Sequence, residues 1–346
     1  MKVSLIIPVY NVVRYIERCL RSALDQTWEE LEIILVNDAT PDDSMDVVES
    51  VLADHGRRSC VKVLTHPRNR GLSAARNTAL REATGDYVFF LDSDDYLPLD
   101  GIERLATVAS RENVDFVVGN YELTGGSRNI PPLGLDTGLL EDNARILQTF
   151  VEGGWYVMAC NKLISRSFIL RKRLFFEEGL LHEDDLWSFK TACLARRAYC
   201  VKKVTYFYYI QPDSITSRPS IRNLESRMKI IGLLFDFITS SELLRANRWV
   251  YLAFESFKAK YFDRIMYFSP DETFRRSAYV LFREKAYLTA GQAWKQFHPG
   301  WRQGVRNLHY VLPVSWGYVY FKGVVKWEYY VLVFPIKWRQ WFGPKR

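Results

Sequence analysis

Apolar and polar positions along the first 120 residues fall in blocks. Val3–Pro8 (VSLIIP) is a near-continuous apolar run, the pattern of a strand buried on both faces. After it, Ile16, Leu20 and Leu24 share one helical face, while Arg14, Glu17, Arg18 and Arg21 occupy others. Leu31–Val36 (LEIILV) reads as a second strand, and Pro41-Asp42-Asp43 opens a helix with Val47, Val48, Val51 and Leu52 inside. Cys60–Leu64 reads as a third strand, Ser73–Ala83 as an Ala-rich helix and Tyr87–Leu91 (YVFFL) as a fourth strand. This β-α-β-α-β-α-β spacing predicts an α/β fold whose parallel sheet is covered on both faces.

Further along, the turn-rich stretch within 121–140 predicts a surface loop, and 140–172 predicts two helices around an apolar patch, GGWYVMACNKL. Glu183–Arg197 reads as a helix and Val201–Tyr209 as a strand. From Asn223 onward helical patterns take over, at 223–239, 242–265 and 272–290, so a domain boundary is expected near 218–222. The expected organisation is 1–218 as the α/β domain, 219–300 as a helical region and 301–346 as a distinct tail.

Composition changes this picture at one end only. Of 346 residues, 48% are apolar and 25% charged, which excludes global disorder. Gly and Pro are scattered with no fixed-period repeat, which excludes collagen and solenoids. The net charge of +7 resides in residues 301–346, which carry eight Lys or Arg, one acid (Glu328) and thirteen aromatics. The longest uncharged stretch, Asn307–Phe321, is broken by Pro313 and Gly317 and is shorter than the ~20 apolar residues a spanning helix needs. No transmembrane segment is expected, and MKVSLIIPVYN reads as a first strand rather than a leader. The five cysteines (Cys19, Cys60, Cys160, Cys193, Cys200) form no CxxC pair, which argues against zinc knuckles and disulfides and for a reducing cytosol.

In open parallel sheets, ligands sit at the carboxyl ends of the strands. Those ends read Pro8-Val9-Tyr10-Asn11, Asn37-Asp38-Ala39-Thr40, the basic loop His66–Gly71, and Asp92-Ser93-Asp94-Asp95. Acids directly after a buried strand are costly unless solvated, paired or metal-bound. Asp92 and Asp94, two apart, project to one side of an extended segment and offer hard oxygens suited to Mg²⁺ or Mn²⁺. The competing reading is an N-cap cluster for a helix starting near Leu99. There is no GxGxxG or GxxxxGK[ST], so metal and Arg would have to hold a phosphate.

The run SLIIPVYNVVRYIERCLRSALDQTWEELEIILVNDATPDDS, followed by NRGLSAARNTALREATGDYVFFLDSDD, resembles the N-terminal core of family 2 glycosyltransferases with the GT-A fold. The likeness runs from Val3 to about Ser217. It implies inverting transfer of a sugar from a nucleotide-diphosphate donor with a divalent metal, Mn²⁺ or Mg²⁺. It also implies that Pro8 and Tyr10 line the base pocket, that Asp38 accepts from the uracil ring N–H, and that Asn69 and Arg76 face the nucleotide and its phosphates. Asp92-Ser93-Asp94 matches the family's DxD, with Asp94 holding the metal and Asp92 positioning ribose or sugar. Blander roles stay open: Pro8 and Tyr10 shaping a strand exit, Asp38 capping the helix after Pro41, Arg76 pairing with Glu82.

An inverting transfer needs one general base for the acceptor hydroxyl and no acid if a metal neutralises the leaving diphosphate. The family's "ED" pair with an aromatic three residues later matches Glu183-Asp184 and Trp187, so Asp184 is the expected base, with Glu183 beside it. Asp185 blurs the assignment, since acids at a helix start also complement its dipole. His182 is open between metal contact, hydrogen-bond partner and neither. Tyr206–Ser217 resembles the segment that folds over the donor; it has Tyr209-Ile210-Gln211 where many relatives carry a basic residue, a role Arg218 could take over.

The expected partners are a UDP-sugar donor, a glycan or lipid-linked glycan acceptor, and a membrane surface met by 301–346, with the protein cytoplasmic and peripheral at the inner face of the cell membrane. The other reading of that tail is aromatics packed on the core and charges in solvent. Nucleic acid is not expected, because no binding module surrounds the aromatics. Competing functions are a nucleotide-sugar-binding protein without turnover and a sugar nucleotidyltransferase; the latter usually carries a Gly-rich basic loop that Pro8–Arg14 lacks.

Overall fold

The computed structural model describes residues 1–126, 134, 136–211, 220–269, 271–298 and 300–328. Two units divide between Arg218 and Pro219.

The first unit is built on eight strands: β1 (Val3–Val9), β2 (Leu31–Asn37), β3 (Val61–Thr65), β4 (Tyr87–Phe90), β5 (Phe116–Thr124), β6 (Gly138–Leu140), β7 (Lys162–Ser165) and β8 (Ala198–Tyr209). Its helices are α1 (Ile16–Leu24), α2 (Ser44–Asp54), α3 (Leu72–Glu82), α4 (Gly101–Glu112), α5 (Asn143–Val151), α6 (Arg166–Lys172) and α7 (Glu183–Leu194). Strand order is β3-β2-β1-β4-β7-β5-β8-β6. Strands β1 to β4 are parallel, as the alternation requires, with Val9 opposite Asn37 and Ile6 opposite Phe90. β1 is buried at every position and β4 likewise, which is why both read as unbroken apolar runs.

The second half of the sheet departs from the sequence-based expectation. The patch read as lying between two helices ends in β7, which enters antiparallel between β4 and β5. Asn161, at φ 56°, turns the chain into that strand; its amide donates to Gly119 O and Asn120 O (both 3.0 Å), and its Oδ1 accepts from Thr205 Oγ1 at 2.6 Å. β5 and β6 bracket the expected loop. β6 and β7 are too short, and β7 too polar at Lys162, for a local pattern to announce them, while β5 runs apolar only from Phe116 to Val118 before Gly119 and Asn120 break its pattern.

The second unit is helical among the described residues: α8 (Ile221–Thr239), α9 (Glu242–Ala246), α10 (Arg248–Phe268), α11 (Glu272–Glu284), α12 (Ala290–Phe297), α13 (Trp301–Asn307) and α14 (Val314–Glu328). The single helix expected over 242–265 is two, because Asn247 accepts from Trp249 and Val250 N–H and so restarts the chain as an N-cap. Phe262 of α10 packs on Phe282 of α11 and on Tyr318 and Phe321 of α14. A buried Glu255–Lys258 ion pair (2.6 Å) shares the Tyr310 hydroxyl.

Candidate active site

The carboxyl ends of β1, β2 and β4 lie side by side because those strands are neighbours in register. Pro8 is buried in β1 opposite Val36. Tyr10, just past the strand, is 45% exposed. The loop after β2 is held by its own polar groups: Thr40 N–H donates to Asn37 Oδ1 (2.9 Å), and Asp42 accepts from the Thr40 and Ser44 hydroxyls and from Val13 N–H.

Asp38 is 2% exposed. It bonds the His66 ring (2.6 Å) and accepts the backbone N–H groups of Arg70 (2.9 Å) and Gly71 (2.7 Å). Gly71 sits at φ 87°, a region L side chains rarely adopt, and opens α3 there. Asp38 therefore ties the β2 end to the His66–Gly71 loop instead of capping α2. A carboxylate offers about four lone-pair sites, so roughly one remains. Asn69, in that loop, is exposed.

Arg76 is fully buried, and it neither pairs with Glu82 nor faces solvent. Its Nη2 donates to Asp92 Oδ1 (2.7 Å), while Nη1 donates to Glu183 Oε1 (3.0 Å) and Asp184 Oδ1 (2.9 Å). One planar guanidinium thus joins the β4 end to the start of α7, a geometry Lys cannot reproduce. Burial works against the charge, but Asp184, Asp92 and Glu183 more than offset it and hold Arg76 well above its ordinary pKa. The next residue, Asn77, exchanges hydrogen bonds with the Phe176 backbone (2.9 and 2.8 Å) and so fixes the approach to α7. Trp187 stacks on Phe176 at 5.1 Å and donates to Leu174 O at 3.0 Å, which sets the helix orientation. His182 is the N-cap position, at φ 64°, and its carbonyl accepts from Asp185 N–H.

Five carboxylates converge here on few cations. Burial and the Asp184 charge push Glu183 up to about 7. Asp184 is also raised, by burial and by Asp92, against the pull of Arg76. Burial and Asp92 push Asp94 up to about 6, although Gln211 Nε2 donates to it at 2.6 Å. Asp95 is raised well above the ordinary range by burial and by Asp94. It is bonded to the Tyr206 hydroxyl (2.6 Å) and Tyr209 N–H (2.7 Å), so this third acid of the run anchors β8. This surplus of hard oxygen atoms and uncompensated negative charge fits a divalent cation such as Mn²⁺ or Mg²⁺. Among the described residues, Asp92, Asp95 and Cys160 bring ligand atoms within 4.8 Å of one another. Burial keeps the Cys160 thiol protonated, which leaves the carboxylates as the ligands a hard ion would take.

Gln211, expected only to stand in place of a basic residue, donates to Asp94, and two further contributors carry no signal in the sequence as site residues. Arg18 donates to Asp94 O (2.9 Å) with its guanidinium 4.3 Å from both the Tyr96 and Tyr209 rings. Lys162 is wholly buried, bonded to Met158 O and lowered by burial to about 7. A basic residue on the polar face of a first helix, or one inside an apolar patch, carries no signal until the fold brings it to the site. Arg218 lies outside the described residues.

A family model described as Glycosyl transferase family 2 matches residues 4–171. EpsH of Bacillus subtilis (strain 168) is 33% identical over 251 residues, which cover 71% of this chain and 72% of that one. The chain belongs to glycosyl transferase family 2. Its first unit carries a glycosyltransferase domain. The uncharacterized glycosyltransferase EpsJ of the same organism is 33% identical over 224 residues, and that match spans 63% of each chain, so over a third of EpsJ lies outside it. Residues 1–349 of S. aureus TarS share the fold with a TM-score of 0.71 at 19% identity, covering 95% of this chain and 91% of that one. The α/β architecture is thus the GT-A fold expected from the strand and motif order.

Proposed function

We propose that this protein is an inverting, metal-dependent hexosyltransferase that moves a sugar from a UDP-sugar to a hydroxyl of a glycan or lipid-linked glycan in cell-surface polysaccharide assembly. The observation that carries the reading is Arg76 holding Asp92 of the DxD and Asp184 of the ED pair on one guanidinium. That contact brings the donor end and the base end of the family pattern within one side chain of each other. S. aureus TarS has been crystallised with UDP-GlcNAc and with UDP, which supports a UDP-sugar as donor.

Asp184 takes the acceptor hydroxyl's proton as that oxygen bonds to the anomeric carbon. The bond from that carbon to the diphosphate oxygen breaks, and UDP leaves with the electron pair. A raised pKa suits this role, because a base works best when its pKa lies near the operating pH. A divalent cation held by Asp94 would neutralise the diphosphate, with Asp92 positioning the ribose or sugar. Pro8, Tyr10, the remaining acceptor site of Asp38 and Asn69 bind the nucleotide. Glu183 shares Arg76 with the base and keeps its carboxylate in place. The same reading has the protein working at the inner face of the cell membrane, with 301–346 in contact with it. No helix among the described residues is long and apolar enough to cross a membrane.

Titration of UDP into the full chain with and without Mn²⁺ tests the donor half: metal-dependent binding is expected, and its absence would sink the enzyme reading. A hydrolysis screen of nucleotide-sugars then identifies the sugar.

A further inference from the structure

We propose that the outward face of α13 and α14 is a docking surface for an anionic lipid bilayer, on which the protein lies without crossing. This deepens the membrane part of the reading above and rests on it only for the side of the membrane, not for any chemistry.

The inward face of α14 is Gly317, Tyr318, Phe321 and Val325, all buried. A surface helix normally carries polar residues on the opposite face. Here that face carries Trp316, Val319, Tyr320, Gly323 and Trp327, an apolar stripe along nearly the whole helix. Trp316 is 72% exposed, Trp327 48%, and Trp301 of the neighbouring α13 63%. Residues 294–327 hold nine of the eighteen exposed large hydrophobics among the described residues, including all four exposed tryptophans. The two helices are joined on this side: Tyr320 hydroxyl donates to Val305 O at 2.8 Å, and an open groove of about 420 Å³ is lined by Val305, Val319, Tyr320, Gly323, Val324 and Trp327.

Charge selects the occupant. Arg302, Arg306, Lys322 and Lys326 lie on the same two helices against the single acid Glu328, although Lys322 is shared with Glu272 at 4.0 Å. Tryptophan favours the headgroup level, and basic side chains favour anionic headgroups. A protein partner would ask for an apolar patch of this kind but has no need of the basic excess. An interfacial amphipathic surface uses both.

The test is co-sedimentation of the full chain with phosphatidylcholine vesicles, with and without about 30% phosphatidylglycerol. The wild type is expected to pellet with the anionic vesicles only, with a blue-shifted tryptophan emission. Release should follow rising salt, since about 0.15 M salt shortens the field to about 8 Å. Combining Trp301→Ser, Trp316→Ser and Trp327→Ser, all exposed, should lower partitioning at least ~10-fold. Arg302→Gln or Lys326→Gln should each lower it about fivefold at low salt. Trp316→Ser alone serves if the triple variant misfolds. Three results would overturn the proposal: a wild type that stays in the supernatant, a triple variant that pellets unchanged, or self-association that the tryptophan changes abolish without vesicle binding. The assay contains no nucleotide, so its failure leaves the donor reading standing, and failure of UDP binding leaves this one standing.

Discussion

Arg76 Nη1 lies 2.9 Å from Asp184 Oδ1 while its other terminal nitrogen lies 2.7 Å from Asp92 Oδ1, so the expected base and the first acid of the DxD share one buried cation. The two carboxylates are ninety-two residues apart in sequence and belong to different elements, the end of β4 and the first turn of α7. Their separation is therefore set by a guanidinium of fixed shape.

If Asp184 is the base, Asp184→Asn keeps a near-isosteric partner for Arg76 but removes the proton acceptor. Metal-dependent UDP binding should persist by calorimetry while turnover falls at least ~10²-fold. Near-normal turnover in this variant, with activity abolished in Glu183→Gln or Asp185→Asn, would move the role to a neighbouring acid.

Arg76→Met removes the buried guanidinium that pairs the buried Glu183 and the part-exposed Asp92 and Asp184. Removing one partner of a buried pair typically costs about 3–5 kcal/mol. The loss should be larger near pH 8 than near pH 4, because the raised Glu183 and Asp184 carboxyls take up protons in the folded state as pH falls and then need the counter-charge less. Arg76→Lys should recover only part of it, because one ammonium cannot serve three carboxylates in two directions. Denaturant melts at both pH values check this, and an equal loss at both would show packing, not charge, to be the cause.

Asp94 has its pKa raised from 3.8 to about 6 in the folded state. A raised carboxyl binds its proton more tightly when folded, so its contribution is present below the unfolded pKa and is lost as pH rises through the folded one. That amounts to about 3 kcal/mol lost between roughly pH 4 and pH 6. Metal-free Asp94→Asn should therefore lose less stability than wild type over that window. Adding Mn²⁺ should stabilise wild type at pH 7 and leave Asp94→Asn largely unmoved. A thermal melt with and without chelator reads both, and an Mn²⁺ shift of equal size in the variant would remove Asp94 from the metal site.

Trp187→Ala removes the ring that stacks on Phe176 and meets Phe90 edge-on at 5.9 Å. Truncating a buried aromatic costs about 3–5 kcal/mol. Because Trp187 lies one turn after Asp184, turnover should fall more than UDP binding. Trp187→Phe should restore most of the stability, and unchanged melting of Trp187→Ala would show the stack to be incidental.

Local pattern was sufficient for the parallel half of the sheet. β1, β2 and β4 are buried on both faces, so their residues are apolar whatever the neighbours are, and the helices between them show one apolar face each. The motif order from Val3 to Trp187 was equally legible, since Asp38, Arg76, Asp92-Ser93-Asp94 and Glu183-Asp184 are recognisable by type and order alone. What those side chains bond to was not legible. Asp38 meets His66 and the Gly71 turn, Arg76 gathers three acids, Asp95 anchors Tyr206, and Gln211 reaches Asp94. Each contact spans from 16 to 117 residues of chain, as the Asp92 and Gln211 pairs show. The β7 insertion likewise depends on Asn161 finding Gly119 and Thr205, partners that no window of sequence contains. The sequence by itself determined which residue types exist to bury and to react, because burial and helical period are properties of neighbours along the chain. Only the tertiary structure decided which carboxylate meets which cation, because charge pairing at 3 Å depends on distances through space, and those are fixed only when the sheet closes.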